Sequence, residues 1–355
     1  MASNGEIKFP SETFSTSGPQ HLIGVDWVDT CHRISVVASL VKGVSVLEGD
    51  RHGRSPTLAP PWWNSFHFQL IDKLEDEEDQ SIFGAIYEFK PPESNHYNSA
   101  PKYVVCFRGT RLRGKTWYKD LKVDIRIFLG TPHESSRFKQ AMEYVKNKVN
   151  SVGAENIWLA GHCLGAAIAM LVGKEMAKEN HFVETFLFNP PNIPGPSEWL
   201  ENPDVQYVVR FTSIVIKAGL AFTLKGLQAQ DDQFEALSGW TPFLFVNKAD
   251  RTCSKYILDF KFEEKMEEFG LGKVWSFGLL NPMKNLFFQA LKMDSKPFHV
   301  IPSAYLNINS RDLKKAHGIR QRWSSLKEAH GIQQWWSSDL ECQTLLYQFG
   351  PKTTI

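Results

Sequence analysis

One pentapeptide in the chain has the spacing of a nucleophile mount: Gly161-His162-Cys163-Leu164-Gly165. An apolar run, Ile157-Trp158-Leu159, precedes it, and small helix formers from Ala166 to Met170 follow. Strand, sharp turn and helix in that order are what a Gly-x-nucleophile-x-Gly elbow needs. The glycines leave room for a turn that lifts one side chain clear of a sheet. The helix that starts there turns its free N–H groups and positive dipole end toward that side chain. The chemistry implied is acyl transfer by a nucleophile, with a thiol where such elbows ordinarily carry a hydroxyl. The alternative is structural: a buried strand, a tight turn and a core helix with a small Cys packed inside.

A thiol changes what the elbow can do. The thiolate is the reactive form, and a helix N-terminus and an adjacent imidazole both favour it. Sulfur is larger than oxygen, so a site shaped for Ser holds it imperfectly, and small misplacements cost rate. Thiolates also leave more readily than alkoxides, so an acyl group on Cys163 can pass to an acceptor.

Residues 103–121 read YVVCFRGTRLRGKTWYKDL. A buried strand ends there in Arg108-Gly109-Thr110, with Trp117 and Asp120-Leu121 downstream. With GHCLG following, the chain resembles the class 3 (fungal-type) lipase family, whose members carry an FRG[ST]…W..DL segment ahead of a GHSLG elbow. HLIGVDW (21–27), SIFGAIYE (81–88), FLFNPP (186–191), HVIPSAYL (299–306) and AHGIQQWW (329–336) are similar to a plant branch of it, often labelled GDSL esterase/lipase-like. The sequence contains no Gly-Asp-Ser-Leu tetrapeptide. The resemblance covers nearly the whole chain and implies an α/β-hydrolase fold and a Cys-His-Asp triad. It also implies an oxyanion hole built from Thr110 and the backbone N–H of Leu164. Two fixed donors where negative charge develops are the physical requirement.

The triad acid should follow the elbow at the end of a later strand. TPFLFVNKAD (241–250) ends in Asp250, the choice here. Asp231 and Asp232 lie in the polar stretch QAQDDQ, and Asp259 opens the charged, helical-looking DFKFEEKMEEF. The family places its catalytic His near the C-terminus, just ahead of an aromatic pair. This chain carries that segment twice: KKAHGIRQRWSSL (314–326) and KEAHGIQQWWSSD (327–339). His317 and His330 are therefore equivalent candidates for the base. The second copy keeps Trp335-Trp336 where the first has Arg322-Trp323, which favours His330. The first lies nearer IPSAYL, which favours His317. His299 is a third candidate, read as structural. His162 is a family feature beside the nucleophile and is not assigned as base.

These residues need a sheet to hold them. IFGAIYEF (82–89) and KYVVCF (102–107) read as neighbouring strands, and SSRFKQAMEYVKNKVN (135–150) as an amphipathic helix. FVETFLFNPP is a further strand, WWNSFHFQLIDKL (62–74) has helical apolar spacing, and 21–50 alternates helical and short apolar segments. Alternating strands and helices predict a mainly parallel sheet with helices on both faces. Residues 1–20 should drape over the surface, and EDEED (75–79) should be a solvated loop or helix end. Residues 192–240 and 253–298 exceed a minimal hydrolase and read as lid-like insertions in a single domain spanning 1–355.

The chain has 355 residues and a formal net charge of +1. That length can bury a sizeable core. The near-neutral charge gives no electrostatic reason to expect nucleic acid or an anionic membrane as partner. No secretory signal or membrane-spanning segment is read, and peripheral lipid contact is left open. Cys31, Cys106, Cys163, Cys253 and Cys342 are scattered, odd in number and without metal-ligand spacing. Free thiols in the cytoplasm fit that usage. No cofactor or metal is expected, and the partner is a small-molecule acyl substrate. Three functions remain: acyl transfer or ester cleavage through acyl-Cys163, proton transfer by a repurposed hydrolase fold in specialised metabolism, or non-catalytic binding of an apolar ligand.

Overall fold

The computed structural model describes residues 13–22, 24–51, 53, 57–92, 99–110, 135–192, 237–268, 301–310 and 319–348. Along the chain run helix α1 (Thr30–Asp50), strands β1 (Phe68–Glu75), β2 (Ile82–Phe89) and β3 (Tyr103–Phe107), and helix α2 (Ser136–Val152). Then come β4 (Ile157–His162), α3 (Leu164–Lys178), β5 (Glu184–Phe188), β6 (Phe243–Asn247) and α4 (Lys255–Glu268). The last elements are β7 (Ala304–Asn309), α5 (Ile319–His330) and β8 (Cys342–Tyr347). The strands form a single eight-stranded sheet in sequence order. Pairing is parallel from β3 through β7 and antiparallel at β1–β2, β2–β3 and β7–β8.

That order dictates where the helices go. Right-handed crossovers that always step the same way leave their helices on one face. Accordingly α2, α3 and α4 pack on the face formed by Val105, Phe107, Leu159, Leu187, Leu244 and Leu306. The alternating residues Val104, Cys106, Trp158, Ala160, Phe186 and Phe188 point to the other face. Among the described residues no crossover helix covers that side, and α1 does so instead. Its Asp29 cap accepts from Cys31 N–H at 2.7 Å and His32 N–H at 3.1 Å. The aromatic pair Trp335 and Trp336 joins the same cluster. A sheet parallel through its centre, helices on both faces and a strand–turn–helix at its middle make this an α/β-hydrolase fold.

Several elements differ from the sequence reading. Residues 30–50 form one continuous helix rather than alternating short segments. By length and composition α1 could cross a membrane, but most of it is buried inside the protein. Its residues from Ile34 to Val41 are buried without a break, the apolar ones in one cluster with sheet residues, Trp62 and Trp335. WWNSFHFQLIDKL is helical for only one turn, Pro61–Asn64, and then becomes β1. There β1 pairs with β2, and tertiary pairing overrides the local spacing. EDEED is the turn of that hairpin, and its Asp76 is buried and paired with Arg137. Phe14 docks edge-on against Trp62 at 5.4 Å, which ties the stretch from residue 13 onto the surface of the core.

Most of the two proposed insertions lies outside the described residues. Their described ends are core. Trp240 is buried and donates to the Val183 carbonyl at 3.1 Å. Tyr256, Ile257 and Phe260 of α4 join the crossover-face cluster.

Because α1 is the long described helix on its face, loss of its cap should be felt globally. Asp29→Ala should lower stability by about 1 kcal/mol, with Asp29→Ser near parental. Urea unfolding checks this: the midpoint should fall with the slope unchanged.

Candidate active site

Cys163 stands between β4 and α3 with φ 54° and ψ −118°. L-residues other than Gly seldom adopt positive φ, so this is the sharp, strained turn the elbow requires. Its N–H donates to the Phe188 carbonyl at 2.9 Å, and its carbonyl accepts from Ala167 N–H at 3.1 Å. Gly165 must lack a side chain because an added methyl would strike the Phe107 carbonyl oxygen at the end of β3. A methyl at Gly161 would strike Gly165 in turn. The two glycines therefore let the helix start sit directly against the sheet.

His330, the last residue of α5, closes on this turn. Its Nδ1 lies 2.8 Å from Asp250 Oδ2. Its Nδ1 also lies 3.2 Å from the Thr252 hydroxyl, and Cys163 lies close enough to act on the imidazole electrostatically. All of these groups are buried. Burial opposes a charge on the imidazole, but Asp250 and Cys163 outweigh it and raise the His330 pKa well above the ordinary value. Burial likewise opposes ionisation of Asp250, yet His330 and Thr252 hold its carboxyl down to about 2. Thr252 donates to Asp250 Oδ1 from its N–H at 3.0 Å and its hydroxyl at 2.8 Å. A thiol, an imidazole and a carboxylate are thus gathered at the elbow.

Of the rival acids, Asp259 faces elsewhere, accepting from Asn192 Nδ2 at 2.8 Å and pairing with Lys255. Asp231 and Asp232 lie outside the described residues, as do His317 and His299. Thr110 is half-buried at the end of the β3 loop. That loop is next to the nucleophile: a methyl built on Gly109 would sit 3.0 Å from Cys163 Cβ. Arg108 braces it, with Nε donating to Ile82 O at 2.5 Å and Nη1 to Gly109 O at 3.0 Å. Leu164 opens α3, so its N–H has no intrahelical acceptor. His162 is no base for Cys163. Its Nε2 contacts the His330 carbonyl at 2.7 Å, which links the elbow to the backbone of α5.

Sequence reasoning missed Asn189 and Thr252, both buried and both bonded to Asp250. Thr252 stands two residues past the acid, where a hydroxyl commonly closes a turn. Asn189 sits in the FNPP stretch, and only its position after β5 could have flagged it.

The histidines give the site a pH signature. Burial and the neighbouring His330 hold the His162 pKa down to about 3, against an ordinary 6.5. Between those values the unfolded chain takes up a proton that the folded protein refuses, so stability falls as pH falls. The slope is on the order of 1 kcal/mol per pH unit. Asp250, lowered from 3.8 to about 2, contributes stability above 3.8 that is lost only as pH drops toward 2. His330, raised, contributes a constant amount below 6.5 and loses it only on the alkaline side. From pH 6.5 to about 5 the loss is therefore mainly the work of His162; below that Glu48 and Glu88, which burial would raise but their partners hold down, add to it. His162→Asn should flatten the pH dependence of the urea midpoint between pH 6.5 and about 5. Parallel curves for parent and variant would contradict it.

No family model matches the chain. The chain is similar to a lipase from Rhizopus microsporus var. chinensis, at 13% identity and a TM-score of 0.35, covering 62% of this chain and 67% of that one. It is also similar to a ferulic acid esterase, at 16% identity and a TM-score of 0.28, covering 59% of this chain and 88% of that one. Both likenesses are distant. It is 40% identical over 334 residues to GDSL esterase/lipase At4g10955 of Arabidopsis thaliana, which covers 88% of this chain and 94% of that protein. At that identity over almost the full length of both, the chain belongs to the esterase/lipase family of its Arabidopsis relative.

Proposed function

We propose that the protein is an acyl-transfer enzyme that cleaves a lipophilic ester or thioester through an acyl-Cys163 intermediate. The observation that carries this reading is the Cys163 elbow with His330 close enough to feel its thiol and, at 2.8 Å, bonded to Asp250. Cys163 is the nucleophile, His330 the proton carrier and Asp250 the group that orients and charges the imidazole.

The thiolate attacks the acyl carbonyl carbon, and the carbonyl π electrons move to oxygen. That oxyanion takes the Leu164 N–H and a donor from Thr110. Collapse expels the alkoxide or thiolate, which receives the His330 proton. Water or an acceptor alcohol then gives its proton to His330 and attacks the acyl carbon, and Cys163 departs as thiolate. The same reading takes the chain as one class 3 lipase-like domain with lid segments at 192–240 and 253–298. It works without a cofactor in the cytoplasm, where its free thiols stay reduced.

Cys163→Ala should abolish turnover of p-nitrophenyl butyrate, while Cys163→Ser should leave a measurable esterase. His330→Ala should slow acylation on the order of a hundredfold or more. Intact-mass analysis should show one acyl group on the parent and none on Cys163→Ala. Parental turnover in Cys163→Ala would reject covalent catalysis and favour proton transfer by the imidazole. A protein that binds the ester but never turns it over would favour the binder.

A further inference from the structure

Asn189 follows the last residue of β5 and is wholly buried. Its backbone is left-handed, with φ 46°, and its N–H donates to the Phe245 carbonyl of β6 at 2.8 Å. Its side-chain orientation is unambiguous. The Trp335 indole N–H lies 2.8 Å from Oδ1, and an indole nitrogen only donates. Oδ1 must therefore be the oxygen, and Nδ2 faces the other way. There it meets two acceptors for its two protons: Asp250 Oδ2 at 2.8 Å and the Ala329 carbonyl at 3.1 Å. Ala329 immediately precedes His330, and Gln334 Nε2 also donates to its carbonyl, at 2.6 Å.

From this geometry we infer that Asn189 is the positioning residue of the site: one amide holds both the acid and the backbone that carries the base. The inference rests on the Cys163–His330–Asp250 reading. The amide bonds the same carboxylate oxygen that faces the imidazole, so it sets the direction from which Asp250 meets Nδ1. By gripping Ala329 it also sets where the His330 ring hangs relative to Cys163. A residue that only filled space would fix neither.

Two substitutions separate positioning from packing. Asn189→Leu keeps the volume and removes both donors. Asn189→Asp keeps the shape and the acceptor for Trp335, but turns a second carboxylate oxygen toward Asp250 Oδ2. Two such carboxylates cannot both ionise freely, so the pair retains a proton into a higher pH range. While that proton is held, the introduced carboxyl donates to Asp250 as the amide did. Once it leaves, the bond becomes a repulsion.

The primary measurement is the rate of Cys163 alkylation by iodoacetamide from pH 5 to 8, read by peptide mass, because it needs no acyl substrate. In the parent, Cys163 should label ahead of the other four cysteines. Burial pushes the Cys106 and Cys253 thiols well up, with Asp250 adding to the shift at Cys253, and pushes Cys342 to about 12. The Cys31 thiol is raised by partial burial and by Asp29. Asn189→Leu should slow Cys163 labelling by on the order of tenfold or more across the whole range. Asn189→Asp, whose single carboxyl proton can serve Asp250 but not Ala329 as well, should be slower than the parent at pH 5 and fall further behind as pH rises. With p-nitrophenyl butyrate both variants should lose kcat, with KM within about twofold at pH 7.5.

Parental labelling profiles in both variants would overturn the inference. So would an equal, pH-independent loss accompanied by a lower melting temperature, and so would a parent in which Cys163 does not label preferentially. If Cys163→Ala keeps parental turnover while the labelling profiles still respond to Asn189, the acyl-enzyme reading fails and the positioning role stands. Should both Asn189 variants fail to fold, Trp335→Phe removes the N–H that fixes the amide while keeping an aromatic ring of smaller volume in the core. Slower Cys163 labelling at an unchanged melting temperature would then support the inference, and parental labelling would overturn it.

Discussion

Everything at the centre of this protein follows from a single residue held at positive φ. Cys163 at φ 54° is strained, and strain of this kind costs on the order of 1–3 kcal/mol. It persists only if the surroundings over-determine it. Three strands and a helix do so here: β5 accepts the Cys163 N–H, α3 takes its carbonyl, β4 delivers it and the end of β3 presses on Gly165. The same close approach explains why the β3 loop bearing Thr110 lies beside the thiol. A looser turn would free the thiol and draw it away from the β3 loop at once.

The strained thiol is matched by an electrostatic constraint. Asp250 and His330 are charged groups held almost out of solvent, where an unpaired charge would be intolerable. Each lone pair of the carboxylate that faces protein is met: Oδ1 by Thr252, Oδ2 by His330 and Asn189. A pair so completely bonded contributes little net stability against an apolar replacement, but it leaves one arrangement open rather than several. Arg108 performs the matching task on the other side, satisfying the Ile82 and Gly109 carbonyls where the chain leaves β3.

How legible this was depended on the range of the interaction. The elbow was plain because strand, glycine turn and helix are contiguous, and the position of Asp250 because it lies just past the end of an apolar strand. The hairpin strand β1 was not, since helical spacing in WWNSFHFQLIDKL is overruled by pairing with β2. Nor was α1 as a single helix: continuous burial from Ile34 to Val41 erases the period that marks a surface helix. Asn189 was invisible for a different reason. Its side-chain partners, Asp250, Ala329 and Trp335, lie 61, 140 and 146 residues away, so no local spacing encodes them.

The duplicated C-terminal segment shows packing choosing between equal sequences. AHGI occurs at 316–319 and again at 329–332, yet α5 begins partway through the first copy (314–326) and ends within the second. The first copy thus supplies most of the helix that delivers the second copy's His330. What distinguishes the copies is the residue five places after the His. In the second it is Trp335, wholly buried, 5.3 Å from the Phe245 ring and 6.3 Å from that of Phe188, and bonded to Asn189. In the first it is Arg322. A guanidinium could donate to Asn189 Oδ1, but it would bring an unpaired charge in among aromatic rings, at a cost of several kcal/mol. The copy with Trp at that place is the one that can be drawn down onto the sheet, and its histidine comes with it.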